Sequence, residues 1–145
     1  MKRLSFYLAH PVDSRHRIRE WEIEFEKRTG IELFNPFYDA KRKDVLEIDS
    51  GTRKRGEGMT VEKADSIVNK DLKKIVKSTG ITAIIDGSSS YGTIQEIVYA
   101  YLLNKPVYSL ITNGKEKDPW LMYHSTKIFT KREELEEFLI ELKNN

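Results

Sequence analysis

Short apolar runs alternate with longer amphipathic segments along this chain, and that alternation leaves few folds open to it. LSFYLA at 4–9, ITAIID at 81–86 and PVYSLI at 106–111 are nearly unbroken apolar runs of strand length. Such runs mark strands buried on both faces of a parallel sheet. IELF at 31–34 and TKIF at 126–129 read as two briefer strands. Between them, apolar residues recur at helical spacing: Ile18, Trp21 and Phe25, then Val61, Ala64, Val68, Leu72 and Ile75, then Ile94, Ile97, Val98, Tyr101 and Leu102. Strands alternating with amphipathic helices predict βαβ units. The expectation is one α/β domain over residues 1–145, a doubly wound, flavodoxin-like (Rossmann-like) sheet of five parallel strands flanked by helices.

Local signals set the expected boundaries. Asp13 is placed to cap the first helix and Gly30 to end it. Pro106 sits at the start of its strand, where a missing N–H is tolerated. Thr130 and Glu133 have the spacing of a capping box opening a last helix over 131–143. Residues 35–60 break the pattern with a long polar segment containing KRK and TRKRGEG. Gly51, Gly56 and Gly58 suit a mobile loop or lid there. Lys41, Arg42, Lys43, Arg53, Lys54 and Arg55 can attract phosphates. Acidic neighbours dilute them and no aromatics interleave, so nucleic acid is the poorer expectation for a partner.

Composition narrows the chemistry. Twenty-five basic against 23 acidic residues give a formal charge of +2, too small a field to mark a nucleic-acid or membrane binder. The chain has no cysteine, which excludes disulfides and thiolate catalysis. His10, His16 and His124, its only histidines, lack the companions of a metal site, so neither metal nor cofactor is expected. The apolar run in MKRLSFYLAHPVD is too short for a signal peptide or membrane span. A cytoplasmic protein is the expectation.

In a doubly wound sheet, ligands bind beyond the carboxyl ends of the strands. The loops to search are 10–14, 35–60, 86–93 and 112–124. The third feeds SSSYGTIQE into a helix, so Ser88, Ser89 and Ser90 and free backbone N–H groups form a candidate cradle for a phosphate or sugar. No Walker A loop or GxGxxG accompanies it. Glu96 has two compatible readings. It closes a capping box with Thr93, or it faces a cleft from the side opposite the Ile94, Ile97, Tyr101 stripe, held ionised by the first turn's dipole as a nucleophile requires.

FYLAHP in the first strand, the aspartate of NKDLKKIV, and IIDGSSSYGTIQEIVYAYLLNKPV together resemble the nucleoside 2-deoxyribosyltransferase family. That family includes the 2'-deoxynucleoside 5'-monophosphate N-glycosidases. The resemblance runs along nearly the whole chain and is weakest over 39–60. It implies a retaining mechanism at an N-glycosidic bond, with Glu96 as nucleophile, Tyr7 orienting it, and Asp71 contacting the sugar or assisting the leaving base. Asp71 lies at the edge of its helix's apolar stripe, beside Val68 and Leu72, which implies partial shielding.

Two departures refine what the resemblance implies. Ser90 stands where the nucleoside-type transferases carry an aspartate and the monophosphate N-glycosidases a phosphate-binding serine. This favours a deoxynucleoside 5'-monophosphate over a deoxynucleoside, and hydrolysis over base transfer. Gly92 allows close approach, Arg15 is a second candidate for the phosphate, and Asp86 and His10 end strands that face the same pocket. Met122 matches a methionine that crosses from a neighbouring subunit, which implies a homodimer or higher homo-oligomer with shared active sites. Trp120 replaces a sugar-binding asparagine and reads as a base-stacking residue or as core or interface. An alternative of another class stays open: a nucleotide-binding or sensing domain in which Glu96 is only a cap.

Overall fold

The computed structural model describes residues 3–39, 45, 48–49, 51, 54, 56–87 and 90–145. Five parallel strands form one sheet: β1 (Ser5–Ala9), β2 (Glu32–Phe34), β3 (Gly80–Ile85), β4 (Val107–Ile111) and β5 (Lys127–Phe129). Their order is β2-β1-β3-β4-β5, the flavodoxin-like order expected from the sequence. The helices are α1 (Arg15–Thr29), α2 (Val61–Lys77), α3 (Tyr91–Leu102), α4 (Pro119–His124) and α5 (Arg132–Asn144), with single 3₁₀ turns at Val12–Ser14 and Pro36–Tyr38.

Alternation along the strands divides the core into two layers. Phe6 and Leu8 of β1, Ile84 of β3, and Tyr108 and Leu110 of β4 pack with Ile18, Trp21 and Phe25 of α1 and Leu135 and Leu139 of α5. Tyr7, Ala9, Ile81, Ala83, Ile85, Val107 and Ile111 point the other way, onto Ile75 of α2, Ile97 and Ala100 of α3, and Leu121 of α4. Strands covered on both faces read as continuous apolar runs, which is why the sequence displayed them so clearly. Gly80 is fixed by crowding at the start of β3, since a Cβ there would lie 2.5 Å from the Pro106 carbonyl oxygen.

Helix starts differ from expectation in three places. The N-cap of α1 is Ser14, with Asp13 inside the preceding 3₁₀ turn, while Gly30 ends the helix as expected at φ 73°. The cap of α3 is Ser90, whose Oγ accepts from the Thr93 N–H at 3.2 Å. Thr93 therefore sits inside the helix and Glu96 is not its capping-box partner. At α5 the N-cap is Lys131, without a side-chain cap, so the Thr130–Glu133 box does not form.

The apolar stripes are also less buried than their spacing implies. On α2, Val61 and Val68 are exposed, and only Ile75 is fully covered. On α3 the buried residues are Thr93, Ile97 and Ala100, while Tyr101 and Leu102 face outward. The loop 35–60 contributes the 3₁₀ turn, a buried Val45, and helical backbone at Val45, Ile48 and Asp49. Lys41, Arg42, Lys43, Arg53 and Arg55 of the basic segment, and Ser88 and Ser89 of the serine run, lie outside the described residues. Among the described residues no helix is long and apolar enough to cross a membrane.

Candidate active site

The strand order places the switch point between β1 and β3, and a cavity of about 330 Å³ opens beside their carboxyl ends. His10, just past β1, and Pro36 and Phe37, just past β2, form one wall. Ile67, Val68, Asp71 and Leu72 of α2 form a second. The first three turns of α3, with its cap Ser90, supply Gly92, Thr93, Gln95, Glu96 and Tyr99.

Glu96 reaches this cavity because α3 packs on the face of the sheet to which Tyr7 points. The Tyr7 hydroxyl donates to Glu96 Oε2, joining residues far apart in sequence. The Tyr7 ring is fully buried and packs against Phe34 at 5.8 Å between centroids, so its hydroxyl has a fixed aim. Glu96 is half-buried at the edge of the helix's buried face, rather than opposite it. With α3 starting at Tyr91, Glu96 lies in the second turn. The hydroxyl of Tyr7, more than the helix dipole, is then the feature that holds the carboxylate. Asp71 is half-buried between Val68 and Leu72 in the same cavity, as its stripe-edge position implied.

At the mouth of α3, Ser90 Oγ lies 2.6 Å from Thr93 Oγ1 and also caps the helix, so this hydroxyl both orders the turn and borders the cavity. Among the described residues, nothing lies within 4 Å of the position a Gly92 Cβ would take. A helix start with small hydroxyl residues and room beside them can accept an anionic group.

Several expected residues sit elsewhere. Asp86 does not line the cavity; it accepts from Ser14 Oγ at 2.6 Å and Arg17 Nη2 at 2.9 Å, tying the start of α1 to the end of β3. Burial would raise its pKa, but Ser14 and Arg17 together hold it below the ordinary carboxylate value. Arg15 is paired with Asp49 and donates to the Val12 carbonyl at 2.6 Å, away from the cavity. Trp120 and Met122 lie exposed on α4; Trp120 borders a different cavity, of about 340 Å³, with Ile94 and Val98. Among the described residues no cluster of three or more His, Asp or Glu could hold a metal ion.

Pro36, Phe37, Ile67, Val68, Gln95 and Tyr99 were not singled out as pocket residues from the sequence. Two signals pointed to part of this set: residues 36–37 follow the carboxyl end of a strand, and Val68 sits next to Asp71 on the helical wheel.

No protein-family model matches the chain, and no curated protein sequence does. Solved structures do match. A 2-deoxyribosyltransferase from Bacillus psychrosaccharolyticus superposes with a TM-score of 0.67 at 20% identity, covering 91% of this chain and 90% of its own. The fold is that of the nucleoside deoxyribosyltransferases. The Clostridium botulinum CMP N-glycosidase BcmB superposes with a TM-score of 0.52 at 19% identity, covering 95% of this chain and 98% of its own. Both are of the kinds that the sequence resembles, and both match along nearly their full lengths.

Proposed function

We propose that the protein cleaves the N-glycosidic bond of 2'-deoxynucleoside 5'-monophosphates, or of deoxynucleosides, through a covalent deoxyribosyl intermediate on Glu96. The observation that carries this reading is the hydrogen bond from Tyr7 to Glu96 within a cavity that also holds Asp71. A carboxylate aimed by a buried hydroxyl, with a second carboxyl nearby, suits a sugar centre that becomes oxocarbenium-like. The likeness to a deoxyribosyltransferase and a CMP N-glycosidase supports the same class of chemistry.

In the first step a Glu96 oxygen bonds to C1' as the C1'–N bond breaks, and the bond's electrons leave with the base. Asp71 supplies a proton to the departing base or holds the sugar. In the second step the oxygen of water, or the nitrogen of another base, attacks C1' and loses its proton to the Asp71 carboxylate, while the C1'–O bond breaks and returns its electron pair to Glu96. Tyr7 keeps the carboxylate aligned throughout. Ser90, Thr93 and Gly92 at the start of α3 take the 5'-phosphate, which makes the monophosphate the better substrate, and the resemblance of Ser90 to the serine of the monophosphate N-glycosidases favours water as the acceptor.

The same reading assigns the exposed Trp120, Met122 and Tyr123 of α4, with Tyr101 and Leu102 of α3, to contact with a second copy of the chain. Of these, Tyr101 and Tyr123 pack together at 5.2 Å between ring centroids, and exposed apolar residues grouped in this way mark a protein partner. The test of function is base release from each deoxynucleoside and each 5'-monophosphate, with and without an acceptor base. Release from the monophosphates supports the reading. Thermal stabilisation by nucleotides without release from any of them would mean a sensing domain instead.

A further inference from the structure

The cavity wall past β2 is held from behind by α1, a helix that lines none of the cavity itself. Asn35, buried between β2 and the 3₁₀ turn Pro36–Tyr38, makes the connection. Its Oδ1 accepts from the Phe37 N–H at 3.1 Å, and its Nδ2 donates to Glu22 Oε1 at 2.9 Å. A backbone N–H only donates, so the oxygen must face Phe37 and the amide nitrogen must face Glu22. Asn35 also acts on the ring of His10, the neighbouring wall residue: burial lowers the His10 pKa, and the Pro11 carbonyl and Asn35 oppose it. A second tie to α1 is exposed, with the Tyr38 hydroxyl 3.0 Å from His16 Nδ1 and the Arg19 guanidinium 4.8 Å from the Tyr38 ring centroid. Water competes for that one, and the buried tie sets the position of the turn.

The choice of residues is more than a turn cap requires. A cap uses only an oxygen, which a serine supplies equally well. The amide nitrogen of Asn35 is the part that capping leaves over, and it goes to Glu22. Glu22 in turn is fully buried, and burial, partly offset by Asn35 and by Arg19 with Nη1 at 3.4 Å, raises its pKa to about 7. An apolar residue of similar volume would pack α1 without that cost, so the polar contact with Asn35 is what the burial of Glu22 accomplishes.

Resting on the proposed nucleotide N-glycosidase activity, we infer that Glu22 and Asn35 are positioning residues for substrate binding, which together fix the Pro36–Phe37 wall of the cavity against α1. Neither touches the substrate; both act through Phe37, which lines the cavity and packs on His10 at 5.1 Å between ring centroids. Cutting the tie leaves a buried polar group unpaired unless the turn shifts to bring it a partner. The Tyr7–Glu96 contact is made by β1 and α3 and does not involve this turn. A displaced wall therefore weakens the hold on substrate and transition state alike, which raises KM and spares kcat.

The test measures kcat and KM for base release from the deoxynucleoside 5'-monophosphate that the wild-type protein uses best, with melting curves beside them. Glu22→Met keeps the volume and removes the acceptor; Asn35→Ser keeps the cap on Phe37 and gives up the reach to Glu22. Each should raise KM about tenfold with kcat within about threefold of wild type, and where only one of the two folds, that one decides. Glu22→Gln keeps an acceptor for Asn35 and should hold KM within about threefold of wild type. A folded Glu22→Met or Asn35→Ser protein with wild-type KM, a Glu22→Gln protein as impaired as Glu22→Met, or failure of both cut variants to fold would mean a role in the fold alone and overturn the inference, leaving the activity standing. Turnover of no deoxynucleotide by the wild-type protein would instead refute the activity, and this inference with it.

Discussion

Tyr7→Phe isolates the contact on which the catalytic reading depends. The substitution deletes one hydroxyl and keeps a ring that is fully buried against Phe34, so the packing of β1 is preserved. What disappears is a hydrogen bond to a carboxylate, the charge-assisted kind, worth about 1.5–3 kcal/mol. If that bond aims Glu96 at the sugar carbon, its loss falls on the chemical step. At about 1.4 kcal/mol per factor of ten, kcat should fall roughly tenfold to a hundredfold with KM changed little. The assay is base release from a saturating deoxynucleoside 5'-monophosphate, with thermal melting beside it to confirm that the fold is intact. A kcat within about twofold of wild type in a well-folded variant would refute the claim that Tyr7 positions the nucleophile.

Three further perturbations follow from the geometry. Glu22 on α1 is fully buried, its Oε1 accepts from Asn35 at 2.9 Å, and burial, only partly offset by Asn35 and Arg19, raises its pKa from 4.5 to about 7. A raised carboxyl pKa gives stability that is complete below pH 4.5 and is lost as pH rises through 7. Urea denaturation should therefore show a loss on the order of 3 kcal/mol between pH 5 and 8, and Glu22→Gln should flatten that dependence. Gly80→Ala places a methyl 2.5 Å from the Pro106 oxygen and should destabilise the fold by about 1–3 kcal/mol in the same assay. Gly92→Ala meets no atom of the described residues and favours helix, so it should melt at or slightly above wild type. Its methyl projects into ligand space, so KM for the monophosphates should rise several-fold; an unchanged KM would remove Gly92 from the site.

The fold was legible because of where its strands lie. Phe6 to Ala9 and Ile81 to Ile85 are covered on both faces, so burial wrote itself into sequence as unbroken apolar runs. Helix starts were less legible because a cap is a single side chain with competitors nearby: Asp13 beside Ser14, and Thr93 three residues after Ser90. The stripe of α2 misled about burial because Val68 borders a cavity rather than a packed neighbour.

At the candidate site, Tyr7, Asp71 and Glu96 are what the family resemblance implies, and the structure puts Asp71 and Glu96 on one cavity with the Tyr7 hydroxyl bonded to Glu96. Arg15 and Asp86 were placed there for ending the right loops, but their charges are engaged with Asp49, Ser14 and Arg17. The loop's Pro36 and Phe37 had no periodicity to announce them. Their place after the carboxyl end of β2 is the one sequence sign of them, and the sheet order, which sets β2 beside β1, brings them to the cavity that Glu96 lines.

The most direct test of the central claim is the rate of base release by Glu96→Gln, a change that keeps an acceptor for the Tyr7 hydroxyl and removes only the nucleophilic charge. With Glu96 as the nucleophile, the rate should fall by about a thousandfold or more against wild type, in a protein that still folds and binds the monophosphate. Release within about tenfold of wild type would contradict it.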